Sequence, residues 1–208
     1  MHIEFVDLLR CPAAHEDSWL VAAVTTMEGR IVVEAKLGCP VCGASYFVRD
    51  GVALFDENFS SEDGPKLEGL GSDPDAPMKI AAFLDLTRPG VVALLAGDWA
   101  AASAGVAELA GARILSLNAA HPTKRLENVA EIRATARVPV ADRSVDGAAL
   151  DTKYSEPEMI DEAVRLLRPR GRLIAAGTAE LPPQFRELAR DENHVVAEYV
   201  GELVSLRR

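Results

Sequence analysis

Three cysteines carry the most distinctive chemistry in this 208-residue chain, and all lie in its first quarter: Cys11, Cys39 and Cys42. Cys39-Pro40-Val41-Cys42-Gly43 is a Cys-x-x-Cys turn closed by glycine, a spacing that presents two soft thiolates to one tetrahedral cation such as zinc. Cys11-Pro12 opens a second tight turn, but the position where a partner cysteine would complete it is Ala14. His15 offers an imidazole instead, and His2 is another imidazole close by in sequence. The residues thus allow a zinc site made of Cys11, His15, Cys39 and Cys42. They also allow a ribbon without metal, in which Cys11 is a small buried apolar residue and His15 lies at the surface. A redox dithiol is disfavoured, because Gly43 leads into a strand rather than a helix. A structural disulfide is disfavoured because three cysteines leave one unpaired and no signal peptide precedes them.

Other catalytic residue types are scattered. His121 precedes Pro122 in a loop, His194 opens a strand, and Tyr154 follows a strand end beside a solvated Lys153. No serine sits in a nucleophile elbow, so no catalytic residue is assigned.

The elements that position these residues divide the chain. Trp19–Val24 and Arg30–Ala35 are apolar runs around Glu28-Gly29, and Tyr46–Val48 and Val52–Phe55 flank Asp50-Gly51, a strong hairpin signal. Residues 1–55 therefore read as a small β-rich ribbon. Asp56–Ala76 is acidic and rich in Gly, Pro and Ser, the composition of a solvated linker over 56–75. Residues 76–208 then alternate helix and strand. Met78–Leu86 is a helix with Pro77 in its first turn, Val91–Ala96 a buried strand, and Trp99–Ala110 a helix ended by Gly111. Arg113–Leu117 and Gly147–Leu150 are further strands. Ser155 and Glu158 form a capping box for a helix with an Ile160–Ala163–Val164–Leu167 stripe, ended by Gly171. Arg172–Ala176 is a strand, Phe185–Arg190 a helix, and His194–Leu206 β-rich with a bend at Gly201. This alternation predicts an α/β fold, a Rossmann-like doubly wound and mostly parallel sheet separate from the ribbon.

Composition narrows the function classes. With 49% hydrophobic residues and a mean hydropathy of +0.06, the chain is globular, and no apolar run approaches the ~20 residues of a membrane helix. A formal charge of −10 opposes direct nucleic-acid binding. The Arg168, Arg170 and Arg172 cluster suits a helix C-terminus instead. The expected compartment is the cytoplasm.

Two family resemblances follow from ordered motifs. Leu8-Leu9-Arg10-Cys11-Pro12, Gly38-Cys39-Pro40-Val41-Cys42-Gly43 and Tyr46-Phe47-Val48-Arg49-Asp50-Gly51-Val52 together resemble a Trm112-type zinc ribbon over the first 55 residues, apart from the missing second cysteine of the first turn. In that family the ribbon commonly stabilises or activates methyltransferases and is sometimes fused to them. Val138-Pro139-Val140-Ala141-Asp142-Arg143-Ser144-Val145-Asp146-Gly147-Ala148 and the run Glu162–Ile174 are similar to class I S-adenosylmethionine-dependent methyltransferases over residues 76–208.

That second resemblance implies a cofactor site at Gly97, Asp98, Asn118 and Asp142. The family's loop after the first strand is glycine-rich. Here it is Leu95-Ala96-Gly97-Asp98-Trp99-Ala100-Ala101, with one glycine and a tryptophan that is expected to lie across the methionine subsite. The second strand ends in Leu117-Asn118, where the family places an acidic ribose anchor. The resemblance and its departures imply a non-catalytic scaffold or regulatory protein, a pseudo-methyltransferase with a protein partner or a second copy. The alternative is an active methyltransferase with an atypical cofactor loop.

Overall fold

The computed structural model describes residues 1–56, 73–120, 126–135 and 137–201. The acidic stretch 57–72, the His121-Pro122 loop and residues 202–208 lie outside the described residues.

Alternating apolar residues and two glycine turns build the first part. β1 (Val21–Glu28) and β2 (Ile31–Gly38) pair antiparallel across Gly29, whose φ is 62°. β3 (Ser45–Arg49) and β4 (Val52–Leu54) pair across Asp50-Gly51, both at positive φ (51° and 82°), as a two-residue hairpin turn requires. The short helix α1 (Ile3–Val6) lies beside β2, with Val32 N–H donating to Met1 C=O at 2.7 Å and Ile3 N–H to Arg30 C=O at 2.9 Å.

The second part alternates as its sequence predicts: α2 (Ala76–Phe83), β5 (Val92–Ala96), α3 (Ser103–Ala110) after a 3₁₀ turn at Gly97–Ala102, and β6 (Arg113–Leu117). β7 (Val129–Arg133), β8 (Val145–Leu150), α4 (Pro157–Leu166), β9 (Leu167–Ala176), β10 (Phe185–Arg190) and β11 (His194–Tyr199) follow. The strand order is β1-β2-β3-β4-β7-β6-β5-β8-β9-β11-β10. From β4 to β9 neighbouring strands are parallel, and the strands at either edge are antiparallel. Within this block β7-β6-β5-β8-β9 is a doubly wound order whose direction reverses between β5 and β8. The fold is α/β and Rossmann-like, with a β-rich N-terminal region.

Strand residues point alternately to the two faces, so each face has its own core. On one, Ile80 of α2, Leu84 just after it, and Val106 and Ala107 of α3 cover Ala93, Leu95, Ile114 and Ile174. On the other, Phe5 of α1 and Ile160 and Ala163 of α4 lie with Leu94, Leu115, Ala148 and Leu173. A Cβ on Gly105 would meet Pro77 Cγ at 2.6 Å, so glycine lets α3 approach α2.

The expected separation into two sheets is corrected. β4 pairs with β7 in parallel, Val52 with Glu131, Ala53 with Ile132 and Leu54 with Arg133, and Phe55 N–H adds a bond to Arg133 C=O at 2.9 Å. The edge that β7 would otherwise expose is thereby satisfied by the N-terminal segment. β7 itself escapes a sequence reading, because two charges in Val-Ala-Glu-Ile-Arg suggest a solvated loop. In the fold Glu131 and Arg133 are buried and ion-paired to each other.

Three local expectations are also corrected. Phe185–Arg190, composed of good helix formers, is the edge strand β10, because pairing with β11 outweighs a weak propensity. Ser155 does not cap α4. Glu156 occupies the N-cap, while Ser155 Oγ donates to Asp151 C=O at 2.7 Å and accepts from Ala176 N–H at 2.9 Å, tying the end of β8 to β9. α4 ends at Leu166 rather than at Gly171, since Pro169 keeps its predecessor out of the helical region, and Arg170 takes the positive φ of 68°.

Candidate metal centre and the turn after β5

Backbone bonds hold the cysteine turns in place. Cys11 N–H donates to Ser18 C=O at 3.1 Å, and the bridges Leu9–Val140 and Arg10–Trp19 fix the residues before it. Cys39 follows β2, with its N–H on Ala44 C=O at 2.8 Å, and Gly43 turns back onto Cys39 C=O at 3.0 Å with φ 74°. The result brings all four predicted residues together: the donor atoms of Cys11, His15, Cys39 and Cys42 lie within 4.8 Å of one another. Cys11 Sγ is 3.8 Å from Cys42 Sγ, and Cys39 Sγ is 3.4 Å from His15 Nε2. Cys11 and Cys39 are buried and Cys42 is exposed.

The imidazole alternatives are resolved by their partners. His2 is not among the converging donors: its Nε2 accepts from Arg30 Nε at 3.0 Å. His15 Nδ1 lies 2.6 Å from Glu16 C=O. A carbonyl only accepts, so Nδ1 carries the proton and Nε2 faces Cys39 with its lone pair. Burial pushes the Cys39 thiol up, but the N–H groups of Cys42 and Val41 and the neighbouring thiols more than offset this, lowering it to about 6. Burial dominates at Cys11 and raises it.

At the second site, β5 and β8 deliver two residues side by side. Ala96 pairs with Leu150, so Gly97 and Asp151 leave the sheet together at the point where the strand order reverses. Gly97 has φ 63°, and Asp98 N–H donates to Asp151 Oδ2 at 2.8 Å. Asp151 Oδ1 accepts from Tyr154 N–H at 3.0 Å. A Cβ on Gly97 would lie 2.0 Å from Asp151 Oδ2, so the glycine is needed here for the carboxylate of the same chain. Burial, then the Asp151 charge, pushes the Asp98 carboxyl up, and its Oδ1 is buried with no hydrogen-bond partner among the described residues.

The other predicted cofactor positions separate. Asn118, at φ 53° after β6, spends its amide internally: Nδ2 donates to Ala134 C=O and to Tyr154 Oη, both at 2.7 Å, and Oδ1 accepts Ala134 N–H at 3.0 Å. Asp142 lies beyond the amino end of β8, opposite to Gly97, and pairs with Arg165 at 2.7 Å and Arg137 at 3.7 Å. Trp99 is 3% exposed in the core beneath α2 and α3, its ring 5.2 Å from that of His194. The group that enters the turn is thus Asp151, which sequence reasoning missed. Its signal was its place at the carboxyl end of a predicted strand, where α/β sheets keep their functional residues.

No protein-family model matches the chain, and comparison with curated proteins returns no match. Solved structures share part of the fold. The 1,6-didemethyltoxoflavin-N1-methyltransferase of Burkholderia thailandensis, with 1,6-didemethyltoxoflavin and S-adenosylhomocysteine bound, is 15% identical at a TM-score of 0.43, over 62% of this chain and 78% of that one. The antibiotic-resistance methyltransferase Kmr is 14% identical at 0.41, over 61% and 93%. The geranyl diphosphate C-methyltransferase of Streptomyces coelicolor A3(2) is 13% identical at 0.35, over 48% of this chain and only 43% of its own length. Such TM-scores carry no functional weight. No helix among the described residues is long and apolar enough to cross a membrane.

Proposed function

We propose that this chain is a non-catalytic scaffold or regulatory protein, a zinc-holding N-terminal segment built onto a methyltransferase-like sheet. The observation that carries the proposal is the Asp151 carboxylate seated on Asp98 N–H, between Gly97 and the strand end where a ligand of such a sheet would enter. S-adenosylmethionine is disfavoured by the residues present: Asp151 already takes the Asp98 N–H and would oppose an anionic ligand group there, and the Asn118 amide is committed to Ala134 and Tyr154. Losing one charge-assisted hydrogen bond costs ~1.5–3 kcal/mol, or about tenfold to a hundredfold in affinity. That loss alone would take a micromolar ligand to ~10–100 μM, and the Asp151 carboxylate opposing the ligand's own is expected to weaken binding further, past millimolar.

Zinc does fit. Three thiols and an imidazole with its lone pair turned inward are a tetrahedral donor set. The ion would hold the Cys11–His15 and Cys39–Cys42 turns together as a closed structural site with no open position for a substrate. Function then rests on surfaces presented to a protein partner or a second copy.

A second reading, an active S-adenosylmethionine-dependent methyltransferase, is favoured by one feature. The turn at Gly97 keeps its left-handed conformation and an N–H that binds a carboxylate. A ligand able to displace Asp151 would reopen the site. Thermal-shift titration with S-adenosylmethionine separates the two readings, since a ligand of the native state raises its stability by mass action. The scaffold reading expects no shift at 1 mM ligand (order of magnitude, from the affinity loss above). A micromolar dissociation constant restores the enzyme.

A further inference from the structure

Resting on the zinc reading above, we infer that Tyr46 is a positioning residue for the metal centre, its hydroxyl donating to the Cys11 thiolate. Tyr46 stands at the start of β3, four residues beyond Cys42, with its Oη 3.5 Å from Cys11 Sγ. Its ring is held from the other side by Phe55, centroid to centroid 4.9 Å. Phe55 in turn is anchored by its N–H on Arg133 C=O, where β4 joins β7. The hydroxyl is therefore fixed in place by the seam between the N-terminal strands and the parallel sheet.

The charge of the site gives that placement a purpose. Three thiolates around a divalent cation leave one excess negative charge, and Cys11 is the thiol most deeply buried among them. A buried anion needs hydrogen-bond donors. Glu16 C=O serves His15, and the backbone N–H groups of Cys42 and Val41 serve Cys39. Tyr46 is the side-chain donor that faces Cys11. Outer donors of this kind orient ligands and tune metal affinity, and losing one typically costs 10–100-fold.

The test is a cobalt and zinc titration of the full chain against a chelator of known affinity, for wild type, Tyr46→Phe and Phe55→Leu. Tyr46→Phe keeps the ring and removes only the hydroxyl. It should weaken zinc binding about tenfold or more and shift the thiolate-to-cobalt charge-transfer band, because one sulfur loses its hydrogen bond. Phe55→Leu loosens the ring packing but keeps the hydroxyl, and should leave that band in place. Unchanged affinity and spectrum in Tyr46→Phe overturn the inference while leaving the metal reading intact. A Phe55→Leu variant matching Tyr46→Phe in both readouts also overturns it, by assigning the effect to packing. Wild-type protein that takes up neither ion overturns the metal reading itself, and this inference with it.

Discussion

The N-terminal cysteine cluster and the turn after β5 both gather polar atoms at the ends of strands, but the atoms at each have different partners. At the cluster, four soft donors converge within 4.8 Å, with Cys11 Sγ 3.8 Å from Cys42 Sγ and Cys39 Sγ 3.4 Å from His15 Nε2. At the turn, Asp98 N–H and the whole Asn118 amide are bound to other groups of the chain. The cluster brings together a donor set that suits a soft cation. At the turn, those polar groups already have partners within the chain. What a strand end can bind is therefore argued from its own donors and acceptors rather than from the fold.

The largest effect should come from breaking the cluster. Cys39 is buried and central to it, and structural zinc contributes apparent binding free energies of ~10 kcal/mol or more that become folding free energy. Cys39→Ser is expected to lose stoichiometric zinc by elemental analysis and to lower Tm by ~10 °C or more, at about 2–4 °C per kcal/mol for a chain of this length. A variant that retains one equivalent of zinc and its Tm would show that the cluster is not a metal centre.

Next comes the seam that ties the two regions together. Glu131→Ala leaves Arg133 buried without its carboxylate, a change that typically costs ~3–5 kcal/mol. Because β4 pairs directly with β7, hydrogen exchange should rise in β4 as well as in β7. Exchange confined to β7 would mean that the N-terminal strands hold their place without the seam.

How much of this was legible beforehand differs between the regions for physical reasons. The cluster could be read because Cys-x-x-Cys-Gly is local chemistry, and both hairpins announced themselves through Glu28-Gly29 and Asp50-Gly51. The parallel strands of the core could be read from apolar runs such as Val91–Ala96. What could not be read were relations between distant segments. β7 looks polar until Glu131 finds Arg133, and Phe185–Arg190 looks helical until β11 pairs with it. Asp142 fits a motif yet sits at the opposite end of β8 from Gly97, while Asp151, in no motif, fills the turn. The tryptophan expected across the subsite lies instead in the core with His194.

The turn can be tested by forcing its occupant out. Gly97→Ala places a methyl 2.0 Å from Asp151 Oδ2 at a φ of 63°. The left-handed backbone costs ~1–2 kcal/mol for a residue with Cβ, and displacing the carboxylate sacrifices hydrogen bonds of about 1 kcal/mol each. A loss of about 2–3 kcal/mol in urea unfolding is expected. In an Asp151→Ala background the same glycine substitution should cost only its backbone part. Equal costs in both backgrounds would mean that the two residues are not coupled and that Asp151 does not hold the turn.

The smallest and most specific effect concerns Asp98, which sits beside that occupant. Burial first, and the Asp151 charge second, raise the folded-state pKa of its carboxyl above the ordinary 3.8. Between the unfolded and folded values the native protein binds more protons than the unfolded chain, so stability falls as pH rises through that window. The penalty is complete above it, at neutral pH, and absent well below the unfolded value. Asp98→Asn removes the titration, and its amide can donate to the Asp151 carboxylate where a second carboxylate repels it. The variant should therefore be more stable than wild type at pH 7, with the advantage shrinking as pH falls toward 3.8 and below. Thermal denaturation of both proteins across that range measures the difference directly. An advantage that grows toward acid pH would reverse the sign. It would mean that Asp98 is held as a carboxylate by a cation or ligand in the turn, and the contrast between a self-satisfied turn and the cysteine cluster would fail.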